Sequence, residues 1–118
     1  MNLIHELAEQ SGVIAAGEYA YRGDRFSYTG QLDEEMARMA SIMCRATTMA
    51  VHMQVDMLQS LGSECGCHPA RGWVVRGQQY TVCVIGNVFC FIDNSANALN
   101  GVMRFMLDKV EHQTGDLV

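Results

Sequence analysis

Cys65-Gly66-Cys67-His68 is the segment of the chain best equipped for chemistry. Thiolates and imidazole bind zinc or iron, but a closed structural site takes four ligands, usually with two or more residues between paired cysteines. Here one residue separates the cysteines, and no second ligand pair follows at a suitable distance. Cys65, Cys67 and His68 are thus the nearest approach to a metal set, and the expectation is an exposed loop with no metal and no cofactor.

The other three cysteines are redox candidates of a different kind. If Gly86-Asn87 is a two-residue hairpin loop, Ile85 faces Val88, Val84 faces Phe89 and Cys83 faces Cys90. Counting outward from the turn, Cys83 and Cys90 form a hydrogen-bonded pair with Cα atoms ~5.5 Å apart and diverging side chains. A disulfide there is strained, so both read as small buried hydrophobes. Cys44, mid-helix beside Met43, reads the same way, though a thiol near a dimer seam has scope to respond to redox state.

Enzymatic constellations are missing from the sequence. His5, His52 and His112 are dispersed, and His52 lies one helical turn before Asp56, a spacing that suits a surface pair. No serine sits in a nucleophile-elbow motif, and neither Gly-x-x-x-x-Gly-Lys nor Gly-x-Gly-x-x-Gly occurs. The expectation is a protein that is not an enzyme. Nine methionines invite a copper or haem reading, but six fall in one predicted helix at positions that packing explains.

That helix is the element around which the rest is arranged. Asp33 is a good N-cap, Glu34 and Glu35 suit the positive end of a helix dipole, and neither Pro nor Gly appears again until Gly62. The helix therefore runs from Glu34 to Leu61, about 42 Å long at 1.5 Å per residue. Glu34, Arg38, Ser41, Arg45, Thr48, His52, Asp56 and Gln59 form one narrow stripe that reads as solvated, with Glu34 and Arg38 as an i,i+4 pair. Met36, Met39, Met43, Ala46, Ala50, Met53, Met57 and Leu61 make an apolar face, widened by Ile42, Met49 and Val55. Packing on one sheet needs an apolar stripe somewhat over 100° wide. This face is wider, and the economical expectation is that the region around Met43, Ala50 and Met53 is divided between the sheet and a second copy of the chain.

Around it, a short helix is expected over about Asn2 to Gln10, stopped by Gly12. Strands over Val13 to Tyr21 and Arg25 to Thr29 flank Arg22-Gly23-Asp24, which reads as turn chemistry and not as an adhesion ligand. A loop from Gly62 to Arg71 holds Pro69, the only proline. Trp73 to Arg76, Tyr80 to Ile85 and Val88 to Ile92 then form a meander with turns at Gly77-Gln78 and Gly86-Asn87, the latter suited to type II′. Asp93-Asn94-Ser95 caps a last helix lined by Leu99, Val102, Met103, Met106 and Val110, and His112 to Val118 is expected to fray. The order α-β-β-α-β-β-β-α implies one α+β domain spanning 1–118, a five-stranded antiparallel sheet with helices on its faces.

Composition limits the partners. The 118 residues are 49% hydrophobic and 18% charged, which excludes intrinsic disorder. A net charge of −5, with only eight scattered Lys and Arg, argues against nucleic acid or an anionic membrane surface. Met1 to Gln10 does not resemble a signal peptide, and no apolar run approaches the ~20 residues of a membrane span. With five cysteines, an odd number, a cytoplasmic location with reduced thiols is expected.

In order and length of elements the whole chain resembles the roadblock, or dynein-light-chain-like, family, a profilin-like fold. The resemblance rests on Gly12-Val13 opening the first strand, Gly23-Asp24 at the first hairpin, and the long helix before the meander. The run from Gly72 to Asn87, and Glu34-Glu35-Met36-Ala37-Arg38-Met39-Ala40 leading into Met43-Cys44, resemble an uncharacterised bacterial branch of that family. The resemblance implies a homodimer with antiparallel long helices and with the strand from Trp73 to Arg76 paired across the two-fold axis. Met36, Met43, Ala50, Met53, Met57, Trp73 and Val75 would then lie at the interface. It also implies a non-enzymatic scaffold or regulator of a protein partner, a small GTPase or a larger complex. The alternative, implied by the bacterial branch, is a redox or sulfur-handling accessory to heterodisulfide-reductase-like sulfur oxidation.

Overall fold

The computed structural model describes residues 2–23, 25–62, 66 and 69–111. Helix α1 spans Leu3–Ala8, β1 Val13–Tyr19, β2 Phe26–Gly30, α2 Glu34–Leu61, β3 Gly72–Arg76, β4 Tyr80–Ile85, β5 Val88–Asp93 and α3 Leu99–Glu111, with one 3-10 turn at Asn94–Ala96 before α3. The fold is α+β, in the expected order of elements. Its antiparallel sheet has strand order β2-β1-β5-β4-β3, so β2 and β3 are the edges.

The turns follow from local chemistry. Gly86 has φ 60, and among the described residues Asn97 is the only non-glycine with positive φ, so the β4–β5 loop has the type II′ signature. Its register places Ile85 opposite Val88, Val84 opposite Phe89 and Cys83 opposite Cys90. The β3–β4 turn sits one residue later than the sequence suggests. The Gly77 N–H donates to the Tyr80 carbonyl at 2.9 Å, leaving Gln78-Gln79 as the loop.

Alternation along the strands divides the core in two. On one face α1 and α3 cover Cys83, Cys90, Val88 and Ile92, with Leu7 and Met106 fully buried among them. On the other, α2 packs over Tyr19, Val84 and Phe89. The molecule is therefore a three-layer sandwich with α2 alone on its side.

The seating of α2 corrects two expectations. Its buried residues are Ala37, Ser41, Cys44 and Thr48, so Ser41 and Thr48 face the sheet and are not part of a solvated stripe. Their hydroxyls are satisfied there: Ser41 donates to the Ala37 carbonyl at 2.8 Å, and Thr48 takes bonds from Tyr19 and Trp73. Small side chains let the helix approach the sheet closely, and the bulky methionines are turned away. Arg38 pairs with Glu35 one turn back, at 2.5 Å, instead of with Glu34.

Candidate interaction surface

The outward side of α2 is uncovered. Met36, Met39, Met43, Met49, Met53 and Met57 are each more than half exposed, as is Ile42. The expected division of the Met43, Ala50 and Met53 face between sheet and second subunit is thus corrected: all three are exposed, and the sheet takes none of them. No residue of α2 after Thr48 is fully buried, so its last stretch, residues 49–61, is an overhang in which only Val51 and Val55 are half-buried.

Beside the first half of α2 lies a groove of about 650 Å³. Met36, Met39 and Met43 form one wall, while Val75, Val82 and Phe91 of the sheet form its floor. The groove exists because the residues that seat α2 are small and because its sheet contacts lie chiefly on β1, β2 and β3. Edge strand β3 continues the apolar surface, with Val75 56% exposed and Tyr80 of β4 53% exposed beside it. An exposed apolar edge is a template for pairing with another chain. Trp73 has a different role from Val75. It is half-buried, and its indole N–H donates to Thr48, so it belongs to the protomer's own packing.

The three thiols among the described residues are not assembled into one site. Cys83 and Cys90 face each other on the α1–α3 side of the sheet, and Cys44 lies on the α2 side. Burial pushes Cys44 up to about 12, Cys83 to about 11 and Cys90 to about 12. A nucleophilic or metal-binding cysteine needs the thiolate, so this environment suits packing. Cys65, Cys67 and His68 lie outside the described residues, as do Asp24 and the tail from His112 to Val118. Among the described residues no cluster of His, Cys, Asp or Glu is placed to hold a metal. Among them, too, no helix is long and apolar enough to cross a membrane.

One feature escaped the sequence pattern. Arg25, Arg38 and Arg45, scattered along the chain, line a single pocket of about 200 Å³ between the first hairpin and α2. The only advance signal was the seven-residue spacing of Arg38 and Arg45, which puts them on one helix face.

Residues 3–108 match the model of a family described as an uncharacterized conserved protein, DUF2173. The chain belongs to the DUF2173 family. The match runs from the first residue of α1 into α3, so it takes in the methionine face, the groove and the β3 edge. No curated protein matches the chain.

Proposed function

We propose that this DUF2173 chain is a homodimeric, non-enzymatic interaction module of the roadblock type that scaffolds or regulates a protein partner. The observation that carries the reading is the largely exposed end of α2. Residues 49–61 hold no fully buried side chain and only Val51 and Val55 are half-buried, yet they carry the exposed Met49, Met53, Met57, Leu58 and Leu61. A stretch of about 13 residues is marginal as an isolated helix in water and gains its stability from packing. The exposed apolar side chains of α2 offer several hundred Å² of removable surface, the size at which a patch marks an interaction site.

A second copy fits this surface better than an unrelated protein. The overhang and the groove lie at opposite ends of the same helix, so an antiparallel two-fold arrangement lays each overhang in the other chain's groove. Such an interface is self-complementary, as two-fold symmetry requires. The line Met36, Met39, Met43, Ala46, Ala50, Met53, Met57 carries no charge, so two chains of net charge −5 can meet on it without burying like charges. Flexible thioethers adapt to the partner's shape.

Sedimentation at micromolar concentration tests the reading. The expected species has twice the 13.1 kDa chain mass. Met43→Glu in the groove wall and Met57→Glu in the overhang should each give monomers, while Arg104→Ala on the exposed face of α3 leaves the dimer intact. A monomeric wild type, or dimers in both glutamate variants, would refute it.

A further inference from the structure

We propose that the exposed methionines of α2 are reversible oxidation sites, and that peroxide-class oxidants release the dimer by converting their thioethers to sulfoxides. This rests on the dimer reading, which can fail by itself before any oxidant is added.

Six of the chain's nine methionines lie on α2. Met36, Met39 and Met43 follow at steps of three and four residues, and Met49, Met53 and Met57 at steps of four, so each trio keeps to one side of the helix. Their exposure runs from 52% at Met39 to 65% at Met53, so an oxidant in solution reaches all six in the free protomer. Met106 of α3 is the internal contrast, fully buried in the core on the other face of the sheet.

On α2 the thioether is the group that meets the oxidant. Its sulfur lone pair is available at every pH, whereas a thiol must first ionise. Burial keeps the Cys44, Cys83 and Cys90 thiols protonated at neutral pH and away from solvent. In the step itself the methionine sulfur attacks one oxygen of hydrogen peroxide. The S–O bond forms as the O–O bond breaks, and the departing oxygen leaves as water, taking both protons. Sulfur loses two electrons and the peroxide gains them. A methionine sulfoxide reductase reverses the change, oxidising a dithiol to a disulfide and releasing the oxygen as water.

Oxidation shifts the association equilibrium because it acts differently on the two states. In the free protomer the new S=O group keeps its water. In the dimer it is stripped of water against the groove floor, where the side chains of Val75, Val82 and Phe91 have no N–H or O–H to offer. One such group, buried without a partner, weakens association roughly tenfold or more. Pairing covers the same face, so oxidation proceeds through the free protomer and slows as protein concentration rises.

The test treats the full chain with hydrogen peroxide at neutral pH, quenches with catalase, and adds dithiothreitol to reduce any disulfide. Peptide mass mapping then reads the sulfoxides, and sedimentation velocity reads the dimer. The α2 sulfoxides should form roughly tenfold or more faster than that of Met106, and the oxidised chain should sediment as a monomer. Methionine sulfoxide reductase should restore the dimer, a reversal that needs no variant. Leucine keeps the apolar volume, so the combined Met36→Leu, Met39→Leu, Met43→Leu, Met49→Leu, Met53→Leu and Met57→Leu chain should stay dimeric in peroxide. An oxidised α2 face that still pairs, or Met106 oxidising in step with α2, would overturn the proposal. So would a rate indifferent to protein concentration, a leucine chain that peroxide dissociates, or monomers that the reductase leaves unpaired. A chain already monomeric before oxidant is added refutes the dimer itself, and this inference with it.

Discussion

Trp73 and Thr48, 25 residues apart in sequence, meet through a 2.8 Å hydrogen bond from the indole N–H to the threonine hydroxyl. The same hydroxyl accepts from Tyr19 Oη at 2.9 Å, so one buried side chain ties α2 to both β1 and β3. Tyr19 has a second acceptor in the Gly86 carbonyl at 3.3 Å, at the β4–β5 turn. A threonine in the middle of a helix thereby becomes the junction of two strands, β1 and β3.

Thr48→Val keeps the shape of the side chain and removes the acceptor. Tyr19 can still turn to Gly86, but the Trp73 N–H loses its partner, so a destabilisation of about 1–3 kcal/mol is expected. Urea unfolding followed by Trp73 fluorescence measures it directly. A folded-state emission shift to longer wavelength should accompany the loss, because the indole then finds water. A midpoint unchanged from wild type would show that the junction contributes nothing net.

Gly17 in β1 sits where the sheet has no room for a side chain. An added Cβ would overlap the Phe89 ring and come within 2.7 Å of the Ser27 carbonyl. Phe89 is fully buried and stands edge-on to Phe91 with ring centroids 5.9 Å apart, so it cannot yield cheaply. Gly17→Ala should cost about 1–3 kcal/mol by overpacking. Differential scanning calorimetry should show a lower Tm, and Phe89→Leu in the same background should recover part of the loss.

The start of α2 rests on Asp33, whose carboxylate accepts from the Met36 N–H at 2.7 Å. Asp33→Ala should cost about 1 kcal/mol, and Asp33→Asn appreciably less, because asparagine caps nearly as well. Chemical denaturation of the three proteins orders them. An alanine variant as stable as wild type would mean that packing alone holds this end of the helix.

These elements differ in how far the sequence announces them. The limits of α2 are legible because Asp33 caps it and no helix breaker intervenes before Gly62, and the β4–β5 register is legible because Gly86 sets the turn. The face that α2 turns to the sheet is not. Ser41 and Thr48 look solvated by residue type, and only the arrival of Tyr19 and Trp73 from distant strands makes burying Thr48 favourable. The arginine pocket is hidden for a similar reason: Arg25 reaches Arg38 and Arg45 through the packing of a hairpin on a helix. The methionine face is plain in the sequence, but that the sheet leaves it uncovered depends on how small Ala37, Ser41 and Cys44 are.

The buried thiols make stability depend on pH in a definite direction. Cys44, Cys83 and Cys90 are at most 4% exposed, and burial lifts all three above the usual thiol range, to between about 11 and about 12. In the unfolded chain these groups lose their protons near pH 8.5. Between that pH and the folded values the native state binds more protons than the unfolded state, so stability falls as pH rises. The thiol contribution is fully present below about pH 8 and erodes through pH 9 and 10, by up to about 1 kcal/mol per thiol per pH unit. Tyr19, pushed up to about 12 chiefly by burial, adds to the loss above pH 10. Urea midpoints at pH 7, 8, 9 and 10 should be level over the first interval and drop over the last two. In the native protein at pH 8, iodoacetamide followed by peptide mass mapping should leave Cys44, Cys83 and Cys90 unmodified, and 6 M guanidinium should expose them. A flat stability profile to pH 10, or rapid native labelling of Cys44, would contradict the protonated, packed state assigned to these side chains.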